Sequence, residues 1–217
     1  MCFSAEASFV AAAATAVAGA VALARTTERR EWPLAAMPLF FAAQQTIEGF
    51  LWQNLPPLPG DTQAALWTAL FLMFALVFWP VYAPVSVWLV EPDPKRRQWM
   101  VLCLVSGMIV SAYFLWSLTS APQFATVDSS HIIYSGDPGM PAIFRLLYPV
   151  AVCGAAAVSS HRAIRFLALV LIVSSLVAYA AYWQAFASVW CYFAAAASCA
   201  IVYQFEAARR MRKAESV

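Results

Sequence analysis

Charge is what this sequence has least of. Only 11% of its 217 residues are Asp, Glu, Lys or Arg, while 63% are hydrophobic. A soluble domain carries about a quarter charged residues, so this chain cannot clothe a water-facing surface of its size. Histidine occurs twice, at His131 and His161, too few for a seven-helix zinc hydrolase that draws several histidine ligands from its helices. The last apolar run contains no lysine, which excludes a retinal Schiff base there. The five cysteines show neither CxxC nor CxxCH spacing, arguing against a zinc ribbon or haem attachment. No basic stretch interleaved with aromatics is present, so nucleic acid is not an expected partner. No basic segment precedes the first apolar run and no cleavage site follows it, so no signal peptide is expected.

What is present is a series of long apolar runs. Crossing roughly 30 Å of hydrocarbon takes about 20 helical residues. Seven spans are predicted, at about 4–24, 32–54, 62–90, 98–119, 140–159, 163–184 and 186–206, within one domain covering 1–217. The fold class is therefore all-α, an integral membrane bundle of seven transmembrane helices. Basic residues fall in alternate breaks: Arg25, Arg29 and Arg30; Lys95, Arg96 and Arg97; Arg162 and Arg165; then Arg209, Arg210, Arg212 and Lys213. That places 12 of 13 Lys and Arg residues on one side. By the positive-inside rule the N-terminus lies outside and the C-terminus in the cytoplasm, in the inner (plasma) membrane of a bacterium. Arg145 is the exception, near the outer end of the fifth span.

The second span carries Gln44, Gln45, Glu48 and Trp52 in "FAAQQTIEGFLWQN". Gln44, Glu48 and Trp52 recur at i, i+4, i+8, with Gln45 beside them. A lipid-facing carboxylate costs on the order of 3 kcal/mol, so this stripe is expected to face the bundle interior. "MCFSAEASF", "PLFFAAQQTIEGFLW", "FWPVYAP…E" and "SVWCYF" together resemble an uncharacterised bacterial family of small membrane proteins that carries only a domain-of-unknown-function label. The resemblance implies a multi-span membrane protein and no particular activity.

At the estimated depths, Glu48 and Arg145 are candidates for an intramembrane charge pair; the alternative is a snorkelling Arg145 and a hydrogen-bonded Glu48. Cys2 and Cys191 have three readings: a disulfide, part of a metal site with Glu6 and His131, or small buried hydrophobes. Pro80 and Pro84 predict a kink in the third span. Ala12, Ala16, Gly19 and Ala20 offer a small-residue face for close helix packing.

The expected site is a polar, aromatic-walled cavity in the outer half. Its candidate residues are Gln44, Gln45, Glu48, Trp52, Arg145, Tyr148, Trp183 and Trp190, open outward or capped by the 120–139 loop. It suits a small amphipathic or polar molecule, bound or transported. Two alternatives stand beside it. One is an accessory subunit whose polar stripe bonds a membrane partner. The other is a membrane enzyme using Glu48 as acid or base, with Cys2 or His131 nearby. No cofactor is identified.

Overall fold

The structure is a computed structural model that describes residues 4–56, 62–128, 131–135, 141–181 and 186–215. Each predicted span contains a helix. α1 is Ala5–Ala24, begun by Ser4, whose side chain accepts from the Ala7 amide. α2 is Trp32–Gln53, entered through Pro33, where a missing N–H costs nothing. α3 (Thr62–Leu72), a π-helical segment (Met73–Phe78) and α4 (Trp79–Val90) form one rod. α5 is Pro94–Ser120, capped by Asp93. α6 (Ala142–Ala157), α7 (Arg162–Ala181), α8 (Phe186–Ser198) and α9 (Ala200–Glu215) follow. Among the described residues, α1, the Thr62–Val90 rod, α5 and α7 are long and apolar enough to cross a membrane. α2 has the length, but its polar stripe dilutes its hydropathy. Bare apolar side chains such as Val17, Leu102, Met108 and Leu176 sit on the outer surfaces of these helices. They match a lipid surround.

α1 and α2 pack antiparallel. A Cβ on Gly19 would lie 2.6 Å from the Leu39 side chain, and one on Gly49 would lie 2.6 Å from Phe9. The packed face of α1 runs through Ser8, Ala12, Thr15, Gly19 and Ala22. Ala16 and Ala20, expected on that face, lie off it. The 3.6-residue period carries the stripe through Thr15 and Ala22 instead.

The two ends of the bundle differ. At one end, β1 (Phe124–Asp128) and β2 (His131–Ser135) form an antiparallel hairpin. Among the described residues this hairpin is the strand structure in an otherwise all-α chain, as the sequence led us to expect of the fold class. Ala125 and Ile132 bury themselves against Leu51, beside Trp52, Leu55 and Trp67, and Tyr134 stacks on Phe71 at 4.9 Å. The hairpin packs over the α2–α3 end. At the other end the basic segments gather. Arg25 meets Glu206 at 3.5 Å, Arg96 donates to the Val158 carbonyl at 2.7 Å, and Arg165 donates to the Ser159 carbonyl at 2.9 Å.

The predicted kink of the third span is realised as a change of helical register. The Trp79 amide bonds to the Phe74 carbonyl, five residues back. The next N–H in that register belongs to position 80, which is proline, so the Ala75 carbonyl has no partner in its own helix. The Tyr148 hydroxyl of α6 donates to it. Ser111 of α5 donates to the Val77 carbonyl at 2.6 Å. Pro84 likewise removes the donor that the Pro80 carbonyl would meet. There α5 presents Gly107, where a Cβ would lie 1.8 Å from the Pro80 oxygen. A bare Cα lets the two backbones close and offers the carbonyl a weak C–H contact. We expect Gly107→Ala to destabilise the protein by roughly 1–3 kcal/mol or more, because the obstacle is backbone. Gly154→Ala, opposed by the Cys103 side chain at 2.8 Å, should cost less. Thermal unfolding of both variants in detergent checks this, and equal losses would refute the role given to Pro80.

Candidate functional site

α2 turns its polar stripe inward. Gln44, Gln45 and Glu48 are each 0% exposed, which the cost of a lipid-facing carboxylate requires. The stripe divides into two groups. Gln44 reaches across to the rod and to α8: its Oε1 accepts from Trp79 Nε1 at 2.6 Å, and its Nε2 donates to Cys191 Sγ at 3.2 Å. Trp79 in turn stacks on Phe41 at 4.0 Å. Gln45 turns the other way and donates to Glu48 Oε2 at 3.2 Å.

Around the second group the hydrogen bonding is incomplete. Gln45 Oε1, Trp52 Nε1 and Ser8 Oγ are buried without a hydrogen-bond partner. Ser8 is next to Phe9, which meets Gly49, so these atoms lie on two helices that pack face to face. Trp52 also packs beneath the hairpin, in the Leu51 cluster. Buried polar atoms left unpaired cost about 1–3 kcal/mol each.

The other expected residues divide. Tyr148 is buried and tied to the Ala75 carbonyl. Trp190 meets Tyr148 edge to face at 5.6 Å and donates to the Leu171 carbonyl at 3.1 Å. Cys191 is a free, buried thiol. Glu6 is exposed on the first turn of α1, and His131 opens β2 opposite Asp128. Cys2, Trp183 and the Arg145 side chain lie outside the described residues. The Glu48–Arg145 pair and the four-residue metal set therefore fall outside them too. Among the described residues, no three His, Cys, Asp or Glu groups stand together as metal ligands.

Among the described residues, the stripe does not line the apolar cavity between α2, α4, α6, α7 and α8. That cavity is narrow, about 40 Å³, and almost wholly apolar. Phe41, Trp79, Tyr148, Trp190 and Cys191 close it near mid-bundle, and it runs toward Leu34, Val87 and Ile201 at the basic end. Of the expected residues, Tyr148, Trp190 and Cys191 border it. Gln44, Gln45, Glu48 and Trp52 do not.

A second polar centre sits at the basic end, at residues read from sequence only as breaks. Glu91 is 2% exposed. It accepts from the Ser160 amide at 2.7 Å, Ser159 Oγ at 3.1 Å and the Asp93 amide at 3.2 Å, and from Ser160 Oγ. Burial pushes its carboxyl up, but the combined hydrogen bonds from Ser160, Asp93 and Ser159 outweigh this and hold it below its ordinary value. Beside it, His161 Nε2 lies 3.1 Å from the Val90 carbonyl. A carbonyl only accepts, so Nε2 carries the proton, and Nδ1 receives the Gln204 amide at 3.1 Å. Together these bonds tie the rod's end to the α6–α7 turn and α9. The glutamate of "FWPVYAP…E" was the signal for this clamp, since a carboxylate just past a helix end seeks amide donors.

The chain belongs to a family of unknown function (DUF6629), whose profile matches residues 1–216. The resemblance seen in the sequence holds at family level. No curated protein and no solved structure matches the chain.

Tyr148→Phe removes the donor that the Ala75 carbonyl meets, and we expect a loss of about 1–3 kcal/mol in unfolding free energy. A loss no larger than that of an exposed control, Tyr203→Phe, would refute this assignment. Glu91 predicts a pH dependence. Its carboxyl is depressed in the folded state, so its stabilisation is complete above the unfolded value near 4.5 and fades as pH falls through the folded one. Between about pH 6 and about pH 3 the wild type should lose more thermal stability than Glu91→Gln. Parallel curves for the two proteins would contradict the clamp.

Proposed function

We propose that this is a bacterial inner-membrane protein that binds or transports a small hydrogen-bonding molecule at the buried polar site around Glu48. On this reading the chain crosses the bilayer seven times. The hairpin and N-terminus lie outside, and the basic end and C-terminus lie in the cytoplasm. Support for the topology comes from the gathering of Arg25, Arg96 and Arg165 at one end of the bundle.

The observation that carries the function is the unmet hydrogen bonding beside Glu48. Gln45 Oε1 offers an acceptor, Trp52 Nε1 a donor and Ser8 Oγ either. Native proteins seldom leave several such atoms unpaired on one pair of packed helices. A small molecule with both donors and acceptors would satisfy them, and the aromatic Trp52 would flank it. An accessory-subunit role fits less well, because a partner helix would need the stripe on the outside of the bundle.

Native mass spectrometry of the full chain, extracted gently from its own membranes, tests the reading. We expect a stoichiometric added mass in the wild type that is lost in Glu48→Leu. That variant also leaves the Gln45 amide without an acceptor and should cost about 1–3 kcal/mol of stability. Glu48→Gln keeps a hydrogen-bonding oxygen, so it should remain folded while binding weakens. A clean apo mass in the wild type, with Glu48→Gln unchanged in stability, would overturn the proposal.

A further inference from the structure

Two arginines from distant parts of the chain converge on one carbonyl at the basic end. Arg96 lies in the first turn of α5, and its Nη1 donates to the Val158 carbonyl at 2.7 Å and to the Ser159 carbonyl at 3.4 Å. Arg165 lies in the first turn of α7, and its Nη1 donates to the same Ser159 carbonyl at 2.9 Å and to the Ser160 carbonyl at 3.3 Å. The two guanidiniums are therefore neighbours, held in place by the backbone that ends α6. Carbonyls past a helix C-terminus attract cations, but two cations this close repel each other. The nearby carboxylates do not balance them. Asp93 reaches Arg96 Nε at 3.5 Å, and Glu91 is turned to the Ser159 and Ser160 donors. Arg165, and Arg162 one helical turn before it, meet no carboxylate among the described residues. A guanidinium carries five N–H groups, and the carbonyl bonds use Nη1 alone. Among the described residues, Nη2 of each arginine bonds nothing.

An exposed apolar row leads from each arginine toward mid-bundle. On α5, Trp99 follows Arg96 by about one turn and is 64% exposed, with exposed Leu102 beyond it. On α7, Phe166 is 60% exposed beside Arg165, and exposed Leu169 follows by about one turn. α6 packs against both helices, and it ends in one glycine and three alanines, residues 154–157. Short side chains there, with bulky ones on either side, make a shallow trough that begins at the arginine pair. The other cations of this end differ. Arg25 is paired with Glu206 and Arg30 with Glu28.

We propose that this end of the bundle binds one anionic phospholipid from the surrounding bilayer. Its phosphate accepts from Arg96 and Arg165, with Arg162 beside them, and its acyl chains lie along the α6 trough between Trp99 and Phe166. Guanidinium forks match phosphate oxygens, and such bonds are charge-assisted. Basic sites between helices at the cytoplasmic side suit head groups of this kind. A choline head brings its own cation against two fixed guanidiniums, so the site selects lipids of net negative charge. The proposal rests on the basic end lying at a membrane surface, and it is independent of the Glu48 site.

The test is native mass spectrometry of the full chain in detergent, titrated with phosphatidylglycerol, with phosphatidylcholine of the same acyl chains, and with inorganic phosphate. Detergent has no inner or outer leaflet, so a failure here counts against the arginine pair and leaves the topology untouched. The expected result is one phosphatidylglycerol retained per chain at concentrations where phosphatidylcholine is not. Retention should fall about tenfold in Arg165→Gln, and by less in Arg162→Gln, which breaks no bond to the backbone. Arg30→Gln, which removes a cation already paired with Glu28, and Glu48→Gln should leave it unchanged. Where Arg165→Gln fails to fold, Arg162→Gln and the lipid selectivity of the wild type decide. Equal retention of the two lipids, or equal losses in Arg162→Gln and Arg30→Gln, would overturn the site. Inorganic phosphate retained as well as phosphatidylglycerol at equal concentration would overturn the lipid as its occupant.

Discussion

The carbonyl of Ala75 has to find its hydrogen on another helix, and much of the bundle is arranged around that need. Phe74 already holds the Trp79 amide, and the next residue in line is a proline with nothing to donate. In an apolar surround an unpaired carbonyl is costly, because no water stands in for the missing partner. The Tyr148 hydroxyl supplies the bond, which brings α6 against the rod. Ser111 makes the same kind of bond to Val77, and Gly107 lets α5 close on the Pro80 carbonyl. The register change also turns Trp79 toward Gln44. Backbone groups freed by two prolines thus specify where α5, α6 and α2 pack. Apolar packing alone sets no such register when lipid is as apolar as the side chains.

The polar side chains obey the same accounting, with one exception. Gln44, Trp79, Tyr148, Trp190, Ser106 and Ser111 each have a partner on another helix. At the basic end Glu91 and His161 are satisfied as fully. Against that background the open atoms of Ser8, Gln45 and Trp52 are a local departure. Among the described residues, this contrast is the ground on which the binding proposal rests.

The helices were legible because the hydrophobic thickness of a membrane is written directly into run length, and the common end of the basic segments was legible from their alternation. The inward stripe of α2 followed from the cost of exposing Glu48. The register change was not legible. Pro80 announced a kink, but the π form depends on a hydroxyl 73 residues along from the carbonyl it rescues. The hairpin was missed although its signal was present: Thr126, Val127, Ile132 and Ile133 are β-branched residues flanking a polar turn. Length and polarity made the segment look like a plain loop. Gln45 was placed beside the stripe, yet it donates to Glu48. Helical spacing identifies a face, and the choice of partner within that face belongs to the neighbouring helices.

Gln44 stands between the polar stripe and the narrow apolar cavity. Its partners Trp79 and Cys191 border that cavity, and its neighbour Gln45 donates to Glu48. Gln44, Gln45 and Glu48 ride on the same stretch of α2, so a rotation there carries all three together. The bonds of Gln44 to Trp79 and Cys191 therefore fix the setting of Gln45 and Glu48 as well. The partners that hold one amide to the rod and to α8 also hold the buried carboxylate in place, about one turn along.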